Sequence, residues 1–461
     1  MKRRDFLAAT LLAGPLALRA AQAASPSVRI GIFRADVTPP PGAPLCHGSI
    51  PPAKVFDDPL TARGIVLLGA DAPIVLCAVD WVGIGNGAHD AWRAALAEAA
   101  GTTPDRVSVH VVHQHTAPGV DDSTEAILKE HGLSGAMFDP QVAEAALRDT
   151  VSAVSGCLGD AQPVTHVGFG RGKVEKFASN RRILGPDGKI RLTRMSSCRN
   201  AEAIAAPEGI IDPFCKSISF FSSDRPLAVL TYYATHPQSH YGGGLVSADT
   251  VGVARQIREA ALPGVAHVHF NGAGGDIAAG KYNDGSPKMR EILGERLAEG
   301  MRLAWEATRR IPVSPEDVDW TVCRTKLPLR DSVTEESSLI RIRNTDLPTR
   351  ERLFAVRGLV WLRRMQGDHE LELGCLRVGP VRVLHMPGEL CIEYQLRAEE
   401  ILPDAFVAMA AYGDIGPGYI CTEIAYSRGG YETGRVSRVA PRVEGVLHDA
   451  MRQMLRVEAT P

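Results

Sequence analysis

The chain has 461 residues, 45% hydrophobic and 23% charged, with a formal net charge of −2 at pH 7. That length can bury a large core as one large domain or two intimate subdomains, and the charge balance leaves no electrostatic footprint for nucleic acid. Nine cysteines are scattered without a Cys-x-x-Cys pair; most lie in apolar runs and read as small buried hydrophobes, not as a disulfide framework or a thiolate metal site.

Residues 1–23 read as an export signal. Arg3-Arg4 precede Phe6-Leu7, an apolar run reaches Leu18, and Ala20-Ala21-Gln22-Ala23 supplies a small-residue cleavage region. Adjacent arginines ahead of such a run point to the twin-arginine export machinery, and so to a folded chain delivered to a bacterial periplasm or secreted. Removing the segment takes away four basic residues and one acid, shifting the net charge from −2 to −5. Residues 24–461 hold no run of the ~18 uninterrupted apolar residues a membrane span needs, and no linker divides them.

Residues 28–32 alternate as a strand, and a Pro/Gly-rich loop then leads to His47. Strand patterns at 64–68 and 74–79, the second ending in Asp80, precede an amphipathic helix at 88–100 and a strand at 107–112. That strand runs into His113-Gln114-His115-Thr116-Ala117-Pro118-Gly119. On a strand, positions i and i+2 share a face, so His113 and His115 are expected to project together before Pro118-Gly119 break the element. A helix at 140–158 and a strand at 164–169 follow, then a loop carrying Asn180-Arg181-Arg182.

Strands at 217–221 and 227–234 are joined by a turn, and the second leads into His236, repeating the arrangement at His113. Pro237 argues against His236 and His240 pairing on one helix. Ser247-Ala248-Asp249 starts a helix reaching residue 261. The strand 265–270 opens into Asn271-Gly272-Ala273-Gly274-Gly275-Asp276-Ile277, which lacks the spacing of a phosphate or dinucleotide loop and reads as backbone passing close to a site. Helices at 287–307 and 348–367 precede a hairpin, 370–378 with 381–384, that leads to Pro387-Gly388-Glu389. Residues 389–401 read as a helix, with Glu389 near its N-terminus. After a strand at 405–411, residues 413–434 form a long glycine-rich loop with Tyr419, Tyr426 and Tyr431, a length that points to function. The alternation predicts an α/β chain with mixed β-sheets flanked by helices.

Two histidines at separate strand ends plus a carboxylate make a ligand set suited to one zinc ion with a coordination position open for water. A metallo-β-lactamase needs x-Asp-His where Thr116-Ala117-Pro118 stand, and a barrel needs about eight strand–helix repeats that the paired strands do not supply. Ser239 beside His240 is a competing nucleophile, and Asp276 or His240 could relay protons.

Short islands carry a resemblance: 31–38, Asp80, 113–119, Asn180-Arg181, Asp212, 234–236, Ser247-Ala248-Asp249, 271–276, Pro387-Gly388-Glu389, and Tyr419 with Tyr431. In order and residue type they resemble the neutral/alkaline ceramidases, zinc-dependent amidases that cut the N-acyl bond of ceramide. The resemblance implies one large catalytic domain over 24–461, with His113, His236, Glu389 and Tyr419 as zinc ligands and His115 as a transition-state stabiliser. Tyr419 and Tyr431 would complete the catalytic set, and Arg181 and Tyr431 would contact substrate. The implied reaction is hydrolysis of a small-molecule or lipid amide by zinc-activated water. Two departures bear on the lipid more than on the metal. Ala278 stands where the family has its proposed nucleophilic serine, and the chain stops where the family's C-terminal immunoglobulin-like domain would follow. They leave a zinc hydrolase of another small amide or ester, or a metal-bearing binding protein without catalysis, as alternatives.

Overall fold

Three copies of one topological unit organise the computed structural model, which describes residues 27–456; the export signal at 1–23 lies outside the described residues. In each unit three strands run antiparallel in chain order, a helix crosses over, and a fourth strand returns parallel to the third. The first comprises Arg29–Asp36, Thr61–Leu68 and Ile74–Val79, the helix Gly87–Ala100, and Val107–Val111. The second comprises His166–Lys173, Phe214–Ser222 and Arg225–Tyr233, the helix Asp249–Ala261, and Ala266–Asn271. The third comprises Val318–Thr325, Leu371–Val378 and Val381–His385, the helix Ile392–Ile401, and Phe406–Ala410. Short edge strands, Gln162–Pro163 and Arg309–Pro312, widen the first two sheets. The expected α/β class with mixed sheets is the observed one.

The three sheets share a core. Ile30, Ile65 and Leu76 from the first, Ile218, Leu230 and Val268 from the second, and Leu376, Val383 and Ala408 from the third belong to one contiguous apolar cluster. The opposite faces are covered by helices, so strands such as Thr61–Leu68 are buried on both faces and read as unbroken apolar runs instead of alternating. The helix Gly87–Ala100 presents Ala88, Trp92, Leu96 and Ala100 on one stripe and stops at Gly101, whose φ of 67° gives the left-handed C-terminal turn. Each large apolar side chain buried this way contributes roughly 1.5–3 kcal/mol. Polar contacts also tie units together: Arg255, on the second unit's helix, grips Asp80 of the first through two hydrogen bonds of 2.8 and 2.7 Å.

Two expectations are corrected near residue 389. Glu389–Leu390 is a two-residue strand parallel to Tyr419–Ile420, and the helix begins only at Ile392. Gly388, at φ 64°, turns the chain out of the preceding segment, and a Cβ there would meet the Gly418 carbonyl at 2.7 Å. The segment 413–434 is therefore not featureless: it holds that strand and the helix Glu423–Arg428. The pairing Glu389↔Tyr419 and Leu390↔Ile420 brings the next residues into register, and Cys391 and Cys421 form a disulfide. The expectation of small buried hydrophobes without a disulfide framework is thus corrected for this pair; the other seven are free thiols. No helix among the described residues is long and apolar enough to cross a membrane.

Candidate metal centre

The carboxyl ends of the parallel strands from all three units meet at one place, the position where open α/β sheets hold ligands. His113 follows the fourth strand of the first unit, His236 the third strand of the second, and Glu389 the third strand of the third. His113 does not lie on its strand as expected. The strand closes at Val111, and His113 is left-handed with φ 71°. This reversal, not a shared strand face, brings His113 and His115 together, with Nε2 atoms 3.4 Å apart. His47 and Tyr412, beside the same site, are also left-handed, at φ 52° and 60°. Such residues cost about 1–3 kcal/mol each and persist only where the surroundings over-determine them. The Val112, His113 and Tyr412 amides are held by the carbonyls of Val79, Trp81 and Gly388, and the Tyr412 ring stacks on His113 at 4.5 Å.

Hydrogen bonds fix the tautomers. His113 Nδ1 donates to the Val82 carbonyl at 2.6 Å, and His236 Nδ1 donates to the Gly274 carbonyl at 2.7 Å. The glycine-rich loop after the fourth strand of the second unit thus passes against the site, as its sequence suggested. Burial lowers the His236 pKa, which favours the neutral ring, the form whose Nε2 can ligate a metal. Burial opposes ionisation of Glu389, but His113 and His236 hold its carboxyl well below the usual range. Glu389 Oε2 lies 3.2 Å from both His113 Nε2 and His236 Nε2, and Tyr419 Oη lies 3.2 Å from His236 Nε2. The parallel pairing Glu389↔Tyr419 sets the last two groups side by side. A carboxylate oxygen facing two imidazole nitrogens, each anchored through its other nitrogen on a backbone carbonyl, is a donor set that fits zinc.

Around this group, Arg181 is almost fully buried. Its guanidinium lies 3.3 Å from Glu432 and donates to the Gly275 carbonyl at 3.2 Å and to Tyr419 Oη at 3.3 Å. Arg181 thereby orients the Tyr419 phenol while still lining the cavity. Tyr431, more than a third exposed, packs edge-on to Tyr419 at 5.5 Å. All seven site residues expected from the sequence (His113, His115, Arg181, His236, Glu389, Tyr419 and Tyr431) line one cavity of about 250 Å³.

Other candidates fall away from it. Ala278 is fully buried in a two-residue strand paired with Ser179. Ser239 Oγ donates to Asp249 at 2.6 Å. Asp276 is pushed up to about 8 by burial and then by Glu393, and it accepts from the Ile392 amide and Asn180, so it positions the helix start and the Arg181 segment. Sequence reasoning missed Glu432, Tyr412, His47 and Arg438. Of these only Glu432, an acid next to Tyr431 in a glycine-rich stretch, carried a local signal.

No protein-family model matches the sequence, and no curated protein matches it. Solved structures do. One is described as a ceramidase complexed with C2 (TM-score 0.67, 16% identity, 94% of this chain and 77% of that one covered). Another is the neutral ceramidase from Pseudomonas aeruginosa (TM-score 0.68, 17% identity, 94% and 75% covered). Over nearly its whole length, the chain has the fold of the neutral ceramidases.

Proposed function

We propose that this chain hydrolyses an amide, an N-acyl linkage of the ceramide type, with one zinc ion held by His113, His236, Glu389 and Tyr419. The observation that carries the reading is the convergence of Glu389 Oε2 on two backbone-anchored imidazole nitrogens beside a phenol, in the wall of a cavity. When bound there, zinc supplies a Lewis acid and makes water an effective nucleophile near neutral pH. The chain's own residues do the rest. His115, whose Nε2 lies 3.4 Å from His113 Nε2, and Tyr431, which lines the same cavity against Tyr419, can stabilise an oxyanion, while Arg181 holds the Tyr419 phenol in place. Ala278 cannot form an acyl-enzyme, and Ser239 is committed to Asp249, so water is the attacking group. The amide specificity of the structural neighbours supports the bond type; a small ester is the alternative substrate. The Arg3-Arg4 segment supports export by the twin-arginine machinery to the periplasm.

His115→Ala separates stabilisation from ligation. It is expected to keep one zinc per chain and lose about 10²–10³-fold in kcat on N-acyl amides, the usual cost of one oxyanion donor. Rapid quenching during wild-type turnover should yield no covalent acyl-serine. Loss of zinc in His115→Ala, or capture of an acyl-serine, would overturn the assignment.

A further inference from the structure

The cavity that holds the metal ligands carries more positive charge than that centre explains. Arg350, Arg357 and Arg438 line it together with Arg181, against a single carboxylate, Glu389. Arg181 is matched by Glu432. Among the described residues the other three have no carboxylate within ion-pair distance. Arg438 is buried and spends one nitrogen on the Gly416 carbonyl at 2.9 Å; Arg357 is half-buried, and exposed Arg350 stacks on Phe354 at 5.5 Å. All three line the one cavity, with Arg350 and Arg357 two turns apart on the helix Thr349–Gln366. Burial and then the charge of Arg357 pull the Arg438 pKa down to about 9, and Arg357 is also the strongest charge acting on His47. His47 lines the same cavity with both ring nitrogens buried and unpartnered. A desolvated guanidinium beside a second one is unfavourable unless an anion joins them, and a neutral apolar chain in this space would leave both uncompensated. Guanidinium groups bind carboxylates and other oxyanions in forked pairs.

We propose that the amide substrate bears an oxyanion, such as a carboxylate, that is bound by Arg350, Arg357 and Arg438. This rests on the amide-hydrolase reading and narrows it from a neutral lipid to a small acidic N-acyl compound, consistent with a cavity at the small end of ligand pockets.

Two matched probe pairs test it, each exchanging the carboxylate for an ethyl group. N-hexanoylglycine is compared with N-hexanoylpropylamine, and the mono-butylamide of adipic acid with N-butylheptanamide. At least one acidic member is expected to exceed its neutral partner in kcat/KM by about 10-fold or more, a preference erased in the Arg350→Gln/Arg357→Gln double variant. Both positions reach solvent, so the variant should fold, with an unchanged melting temperature as the check; Arg357→Lys should restore part of the preference. Equal rates within both pairs, or a preference untouched by the double variant, would overturn the proposal. If no amide is hydrolysed, the amidase reading fails and calorimetric titration of the same probes decides the anion site separately. Binding of an acidic probe that is lost in the double variant supports it; no binding, or binding unchanged in the variant, refutes it.

Discussion

His113→Ala is expected to purify without zinc and without measurable amide turnover, while keeping its fold. In the proposed ligand set the side chain is one of two nitrogen donors, and its orientation is fixed by the 2.6 Å hydrogen bond from Nδ1 to the Val82 carbonyl. Disturbing a hydrogen-bond partner behind a ligand already costs about 10–100-fold in metal affinity, so deleting the ligand should cost more. The backbone adds a second readout. Alanine at φ 71° keeps the left-handed strain, whereas His113→Gly relieves it. Both should lack zinc by elemental analysis, and the glycine variant should melt at the higher temperature. A His113→Ala protein that retains stoichiometric zinc would show that the ion lies elsewhere.

The largest stability effect is expected at Glu432. This carboxylate is fully buried between Arg181, at 3.3 Å, and Arg182, at 3.1 Å. Glu432→Leu leaves the buried Arg181 guanidinium without its anion, and stripping one partner from a buried pair costs about 3–5 kcal/mol. Arg181→Met should cost less, because Arg182 still serves Glu432. The Arg181→Met/Glu432→Leu double variant should recover part of the loss, since two apolar side chains replace the pair. Urea unfolding of the three variants measures this directly. Additive losses in the double variant would show that the two residues are not coupled. The pair also bears on the proposed centre, because Arg181 donates to the Tyr419 hydroxyl at 3.3 Å.

The strand and helix pattern was legible wherever local periodicity decides structure. The hairpin 217–221 with 227–234 and the helix 88–100 appear within a few residues of their expected ends. The three-fold repetition was not, because its units differ in loop length and in which residues fill the core; only the strand pairing reveals it. The helix Val443–Leu455 was readable, burying Val443, Leu447, Ala450, Met451 and Met454 at helical spacing, but was not identified. In the site, His113, His236 and Glu389 could be chosen because each follows an apolar strand and lies near a Pro or Gly break: Pro118-Gly119 after His113, Pro237 after His236, and Pro387-Gly388 before Glu389. Their local geometry could not. A left-handed histidine and a two-residue parallel strand depend on contacts made far away in sequence, such as Tyr412 against Gly388 and Glu389 against Gly418. The Cys391–Cys421 disulfide follows from that same strand pairing, which spacing alone does not encode.

The central claim is that amide hydrolysis depends on one zinc at this centre. It is tested most directly by chelating the purified chain, measuring turnover of a panel of N-acyl amides, and adding zinc back in steps. Turnover should vanish with the metal and return in proportion to zinc up to one ion per chain, with nitrogen ligands ~2.0–2.1 Å from the ion by X-ray absorption. Full turnover in the zinc-free chain would contradict the account.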